Sequence, residues 1–153
     1  MAPSGAARDS ATRPSLTLQR RLHAPPAKVY VAWTDPTKII HWFGPSHVVV
    51  GSARAELDVR TGGRFRVSFS TSDGEYHEVG GTYREVVPAQ KLVFSWAWHS
   101  TPERESLVTI SMQPDGSGTL LTFRHEQFAD VTARDNHERG WTEFLGKLES
   151  YLA

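Results

Sequence analysis

The residues of this sequence best equipped for chemistry are its histidines and a few of its carboxylates. Histidine titrates near neutral pH and can act as acid, base or ligand. His125 closes a stretch that alternates apolar and polar residues and is followed by Glu126, and His137 stands one helical turn before Trp141, so both are expected to look into one interior. His41 adjoins Trp42 at the expected mouth of a pocket. No two histidines have the i, i+4 spacing of a dedicated zinc site, so no metal is assigned. Glu138 falls on a helical stripe that otherwise reads as buried, where a carboxylate must be paired or shift its pKa. Arg134, one turn away, is its expected partner, with Arg66 or Arg84 as alternatives, and Glu78 is the other carboxylate set apart from turns. There is no Gly-x-Ser-x-Gly elbow, phosphate-binding loop, dinucleotide fingerprint or cysteine. No reaction and no cofactor are therefore assigned.

Aromatic rings are the second resource. Trp42, Phe43, Phe65, Phe69, Tyr83, Phe94, Trp96, Trp98, Trp141 and Phe144 form a heavy set for a chain of 153 residues. Such rings fill a core as readily as they line a small-molecule pocket, and both readings stand at this point. Leaving out Phe94 and adding His125 and His137 gives the candidate ligand-binding set.

The elements that must position these side chains follow from periodicity. Ser15 to Leu22 alternates as a strand exposed on one side. Pro25-Pro26 opens a short helix through Trp33, and Asp35-Pro36 restarts a second through about Trp42, which Gly44-Pro45 ends. From Val48 to His125 the period is two, broken at Gly62-Gly63, Asp73-Gly74, Pro88-Ala89, Thr101-Pro102 and Asp115-Gly116, which predicts an antiparallel meander. Its inward faces are expected to carry Phe65, Val67 and Phe69; Leu92, Phe94, Trp96 and Trp98; Val108, Ile110 and Met112; and Leu121, Phe123 and His125. The short glycine pairs, Gly62-Gly63 and Gly80-Gly81, read as turns and bulges. After Phe128 the period becomes about 3.6, with Val131, Arg134, Glu138, Trp141, Leu145, Leu148 and Leu152 on one stripe. The fold class is α+β, a curved antiparallel sheet gripping one long C-terminal helix.

Composition bounds the partners. Seventeen basic residues balance 17 acidic ones, so no long-range field steers the chain to nucleic acid or to an anionic membrane. The lack of cysteine suits a reducing compartment, and the cytoplasm is the expected location. No stretch approaches the roughly 20 apolar residues of a membrane span. Residues 1–14 read as a disordered leader and 15–153 as a single domain, monomer or homodimer.

Ala24-Pro25-Pro26, Val29-Tyr30, Ala32-Trp33-Thr34-Asp35-Pro36 and His41-Trp42-Phe43-Gly44-Pro45, taken in order, resemble the opening of the activator-of-heat-shock-protein-90-ATPase-like family of the START/SRPBCC (Bet v 1-like) superfamily. Gly62-Gly63-Arg64-Phe65, Gly81 to Pro88, Lys91 to Trp96, and Gly140-Trp141 with Leu145, Leu148 and Leu152 continue the resemblance to the C-terminus. The resemblance implies a helix-grip fold with a cavity between sheet and long helix, as in START lipid carriers, plant pathogenesis-related ligand binders and aromatic polyketide cyclases. It does not imply one function. The leading expectation is a protein that binds a small apolar, aromatic or lipid-like molecule in that cavity. A cyclase- or hydrolase-type enzyme using the same cavity is the first alternative. A co-chaperone-like module stimulating a heat-shock-protein-90-type ATPase is the second. The eukaryotic co-chaperone that names the family carries this domain behind a separate N-terminal one, for which 153 residues leave no room.

Overall fold

The computed structural model describes residues 13–153, so the first twelve residues of the expected leader lie outside the described part. Strand β1 (Leu16–Leu22) is followed by helices α1 (Pro26–Thr34) and α2 (Pro36–Ile39). Strands β2 (Arg54–Leu57), β3 (Arg64–Ser70), β4 (Tyr76–Val87), β5 (Lys91–Trp98), β6 (Ser106–Asp115) and β7 (Gly118–Glu126) form the meander, and helix α3 (Val131–Leu152) ends the chain. The seven strands make one antiparallel sheet in the order β1-β7-β6-β5-β4-β3-β2. This is the α+β helix-grip architecture that the periodicities predict.

The local signals explain the boundaries. Pro26 opens α1, where its missing N–H leaves no unpaired donor. Asp35 ends α1 and caps α2, its side chain accepting from the Thr37 amide at 2.8 Å. Asp130 caps α3 in the same way, accepting from the Ala133 amide at 2.8 Å. All four inward series are buried, except that Trp98 at the open end of β5 is half-exposed.

Three expectations need correction. The second helix stops at Ile39 rather than near Trp42, because the amides of His41 and Trp42 reach back only three residues, to Lys38 and Ile39. That tighter winding turns Trp42 inward, where its indole N–H donates to the Ala32 carbonyl at 3.1 Å. The meander begins at Arg54, and Val48 contributes only a lone bridge to Thr71, since Gly51 at φ +83° turns the chain away. On α3, Val131 and Glu138 are exposed and the inner stripe runs through Ala133, His137, Trp141, Phe144 or Leu145, Leu148 and Leu152. A seven-residue spacing counted back from Leu152 drifts by ~20° per heptad from the true helix, which moves His137 inward in place of Glu138. Arg134 accordingly pairs with Asp135 at 2.7 Å, and no ion pair forms on Glu138 among the described residues.

The centre of β4 shows why the sheet can curve. A Cβ on Gly81 would lie 1.9 Å from the Ser95 carbonyl oxygen of β5, and one on Gly80 would lie 2.8 Å from that of Phe65 on β3. The ladder to β5 also shifts register between Tyr83 and Glu85. Two residues without side chains followed by a bulge let β4 bend between two close neighbours. Gly81→Ala is expected to lower stability by roughly 2 kcal/mol or more, since only backbone movement relieves the clash. Urea denaturation checks this, and a loss below about 0.5 kcal/mol would show that the close approach is not needed.

Candidate functional site

Between α3 and the strands β3, β4 and β5 lies a recess of about 340 Å³. Its floor is aromatic: Phe69 from β3, Trp96 and Trp98 from β5, Trp141 and Phe144 from α3. Gly140 lies among them, and a Cβ added there meets no atom within 4 Å, so the hollow is in part the space of a side chain this helix lacks. The rim is polar. Pro45 and His47 come from the loop after α2, Thr71, Asp73 and Glu75 from the β3–β4 turn, His77 from β4, and Asn136 and His137 from α3.

The loop and the turn are stitched together. The Ser72 amide donates to the His47 carbonyl at 2.9 Å, and the Val49 amide to the Ser70 carbonyl at 2.8 Å. Within the turn, the buried Thr71 hydroxyl donates to Asp73 Oδ1 at 2.5 Å, and the Glu75 amide donates to the same oxygen at 3.1 Å. These bonds hold the Asp73 carboxyl below the usual carboxylate range. Since the Thr71 proton is committed to Asp73, the contact of His77 Nε2 with Thr71 Oγ1 at 3.3 Å is an imidazole N–H donating to the hydroxyl oxygen. The His77 ring stacks on Phe69, centroids 5.2 Å apart.

Two indole–imidazole bonds tie the helix to the sheet. An indole N–H can only donate. Trp141 Nε1 donates to His125 Nδ1 at 3.0 Å, which leaves the His125 proton on Nε2, aimed at Ser106 Oγ at 2.7 Å. The Ser106 hydroxyl passes its own proton to the Trp96 carbonyl at 3.2 Å. Trp98 Nε1 donates to His137 Nε2 at 3.0 Å, so His137 carries its proton on Nδ1 and donates to the Ala133 carbonyl at 2.8 Å. Both imidazoles are fixed as neutral rings with both nitrogens used. Burial and then the neighbouring His137 hold His125 well below the usual histidine range; burial lowers His137 too, against the opposing pull of its bond to Ala133.

The candidate set therefore divides. Phe69, Trp96, Trp98, His137, Trp141 and Phe144 line the recess. Trp42 is fully buried away from it, and Phe43, Phe65 and Tyr83 surround a separate apolar void of about 20 Å³, room for about one water. His125 is sealed beneath the recess floor rather than lining it. His41 does not stand at the mouth; it is exposed and stacks on Tyr151 at 6.1 Å. Glu78 belongs to the other face of the sheet, where Tyr76 donates to it at 2.8 Å and Arg66 and His99 lie 3.9 and 3.8 Å away. Sequence reasoning missed His47, Thr71, Asp73, Glu75, His77, Asn136 and Gly140. His77 was reachable from strand alternation, being two residues before the inward Val79 and opposite Phe69 in register. Asn136, Gly140 and Phe144 were reachable as one i, i+4 row on the helix. Among the described residues no group of three or more histidines and carboxylates could hold a metal.

Comparison with known proteins places this geometry in a family. The family model described as "Activator of Hsp90 ATPase homolog 1-like protein" matches residues 23–153. Among solved structures, the chain resembles a protein from Chromobacterium violaceum at 28% identity and TM-score 0.80, covering 91% of this chain and 97% of that one. It resembles the AHSA1 protein from Silicibacter pomeroyi at 30% identity and TM-score 0.77, with 91% and 97% covered. A protein from Nitrosomonas europaea matches at 25% identity and TM-score 0.75, with 90% and 93% covered. No curated protein matches.

Proposed function

We propose that this chain, which belongs to the Activator of Hsp90 ATPase homolog 1-like family, binds a small, largely apolar molecule in the recess between α3 and strands β3 to β5. The observation that carries this reading is the unfilled space over Gly140, floored by five aromatic rings. The indole N–H groups of Trp98 and Trp141 are spent on histidines and that of Trp96 is buried, so the floor offers a ligand mainly ring faces. A volume of about 340 Å³ is near the lower end of ligand pockets, roughly 300–1,000 Å³, and suits one or two fused rings better than a long acyl chain.

Gly140→Leu tests the reading. Leucine fills the hollow and replaces a mid-helix glycine, so stability should hold or rise by up to about 1 kcal/mol while binding disappears. A ligand at a hundred times its Kd should raise the melting temperature of the wild type by roughly 5 °C or more. The leucine variant should show no such rise. A broad library of aromatic and apolar compounds with no effect on the wild type, or equal effects on both proteins, would remove the proposal.

The cyclase or hydrolase alternative loses its first candidates, because His125 and His137 have no free nitrogen and Glu138 faces solvent. The family description supports a second reading, activation of a heat-shock-protein-90-type ATPase. That activity would run through the surface. ATPase stimulation that persisted in Gly140→Leu would favour it over the recess.

A further inference from the structure

Resting on the small-molecule reading, the charge pattern around the recess narrows the class of ligand. The formally charged side chains in its lining are Asp73 and Glu75, and no lysine or arginine lines it among the described residues. Asp73 is fixed in place by the two bonds to its Oδ1, while its Oδ2 has no hydrogen-bond partner among the described residues. The Glu75 carboxylate lies 3.7 Å from His77 Nε2. The cations of the neighbouring helix face do not line the recess and are tied to atoms at its rim. Lys147 donates to the Gly44 and Pro45 carbonyls at 3.1 and 2.9 Å, and Arg139 donates to Asn136 Oδ1.

The hydrogen-bonding inventory points the same way. The donors of Thr71, Trp98 and Trp141 are consumed within the protein and His137 is closed at both nitrogens; the Trp96 indole N–H has no partner among the described residues but is itself buried. Asn136 and the His47 ring can still donate or accept, and the His77 ring, whose Nε2 proton goes to Thr71, can accept, but the surplus at the mouth is of carboxylate acceptors. Below them stand indole and phenyl faces, whose negative quadrupole attracts a cation. A ligand carboxylate would meet like charge at the mouth and find no lysine or arginine in the lining among the described residues.

We infer that the recess takes an organic cation, an aromatic or compact apolar body carrying a protonated amine, with its rings on Trp96, Trp98 and Trp141 and its ammonium at Asp73 and Glu75. The ring faces supply affinity and the carboxylates supply orientation and selectivity. Fatty acids and aromatic acids of the same size are thereby disfavoured.

A matched series tests this: naphthylethylamine, naphthylethanol and naphthylacetate, titrated calorimetrically at pH 8, above the ordinary range of histidine titration. The amine should bind at least about tenfold more tightly than the carboxylate, with the alcohol between them. In the double variant Asp73→Asn, Glu75→Gln the order should collapse to within about threefold, because asparagine retains the oxygen that organises the turn but not its charge. Unchanged alcohol affinity in that variant shows that the recess has survived. Raised salt should erode the amine's advantage in the wild type only. Equal or tighter binding of the carboxylate, or an amine preference that outlives both substitutions, overturns the inference and leaves binding in the recess standing. Failure of all three compounds to bind the wild type overturns both.

Discussion

Replacing Trp141 by alanine should cost about 3–5 kcal/mol of stability, one of the largest single losses available in this chain. The ring is 2% exposed and lies at the junction of sheet, short helices and long helix. Its centroid is 4.2 Å from that of Phe123, 4.8 Å from Trp96, 5.2 Å from Phe144 and about 6 Å from those of Phe43 and Trp33. Truncation leaves a cavity among rigid rings that cannot collapse into it, and it also strips His125 Nδ1 of its donor. Trp141→Phe separates the two contributions. Phenylalanine keeps most of the packing but cannot donate, so the variant should lose roughly 1–3 kcal/mol, the cost of a buried acceptor left unpaired. Urea denaturation at pH 7.5 with unchanged m-values checks both numbers. An alanine variant within about 1.5 kcal/mol of wild type would mean that the ring is not the keystone of this packing.

That prediction rests on a residue whose burial was legible in the sequence and whose bond was not. Period-two and period-3.6 patterns identified the inward faces of β3, β5, β6 and β7 and the long helix, because burial on one face is written directly into residue order. Trp141 fell on the helical stripe for that reason. Its bond to His125 joins residues 16 apart in sequence, and the Trp98–His137 bond joins residues 39 apart. Pairings at that range depend on sheet register and helix rotation, which no local pattern specifies. The position of Glu138 shows how fine the margin is: a heptad count and a true helical count differ by ~20° per seven residues, and the two heptads back from Leu152 turned an expected inward carboxylate into an exposed one. The rim of the recess was hidden for another reason. Thr71, Asp73 and Glu75 form a turn of ordinary composition, and only folding β3 back on β4 beside the α2–β2 loop brings that turn to the open end of the helix. Aromatic residues announced a hydrophobic interior, but which rings face space and which face one another depended on a missing side chain at Gly140.

The second large effect is a loss of stability in mild acid. His125 is fully buried and uncharged in the folded protein, with its pKa well below 6.5, and His137 is depressed in the same direction. In the unfolded chain both return to about 6.5. Above that pH both states are neutral at these sites and the full stability is present. As the pH falls below it, the unfolded chain takes up protons that the native protein refuses, so stability drops until the folded pKa is reached. Each such proton lowers ΔG by up to about 1.4 kcal/mol per pH unit. The native refusal has a structural cause: a charged His125 would need a second acceptor at Nδ1, where the Trp141 N–H points its hydrogen, and would sit with its ring centroid 5.2 Å from that of His137. Stability measured in urea from pH 7.5 to pH 5 should therefore fall more steeply for the wild type than for His125→Gln, by about one proton's slope. Carboxylates and surface histidines titrate alike in both proteins and cancel in the difference. Parallel curves would show that His125 accepts its proton within the fold, and that the two indole bonds do not hold these rings neutral.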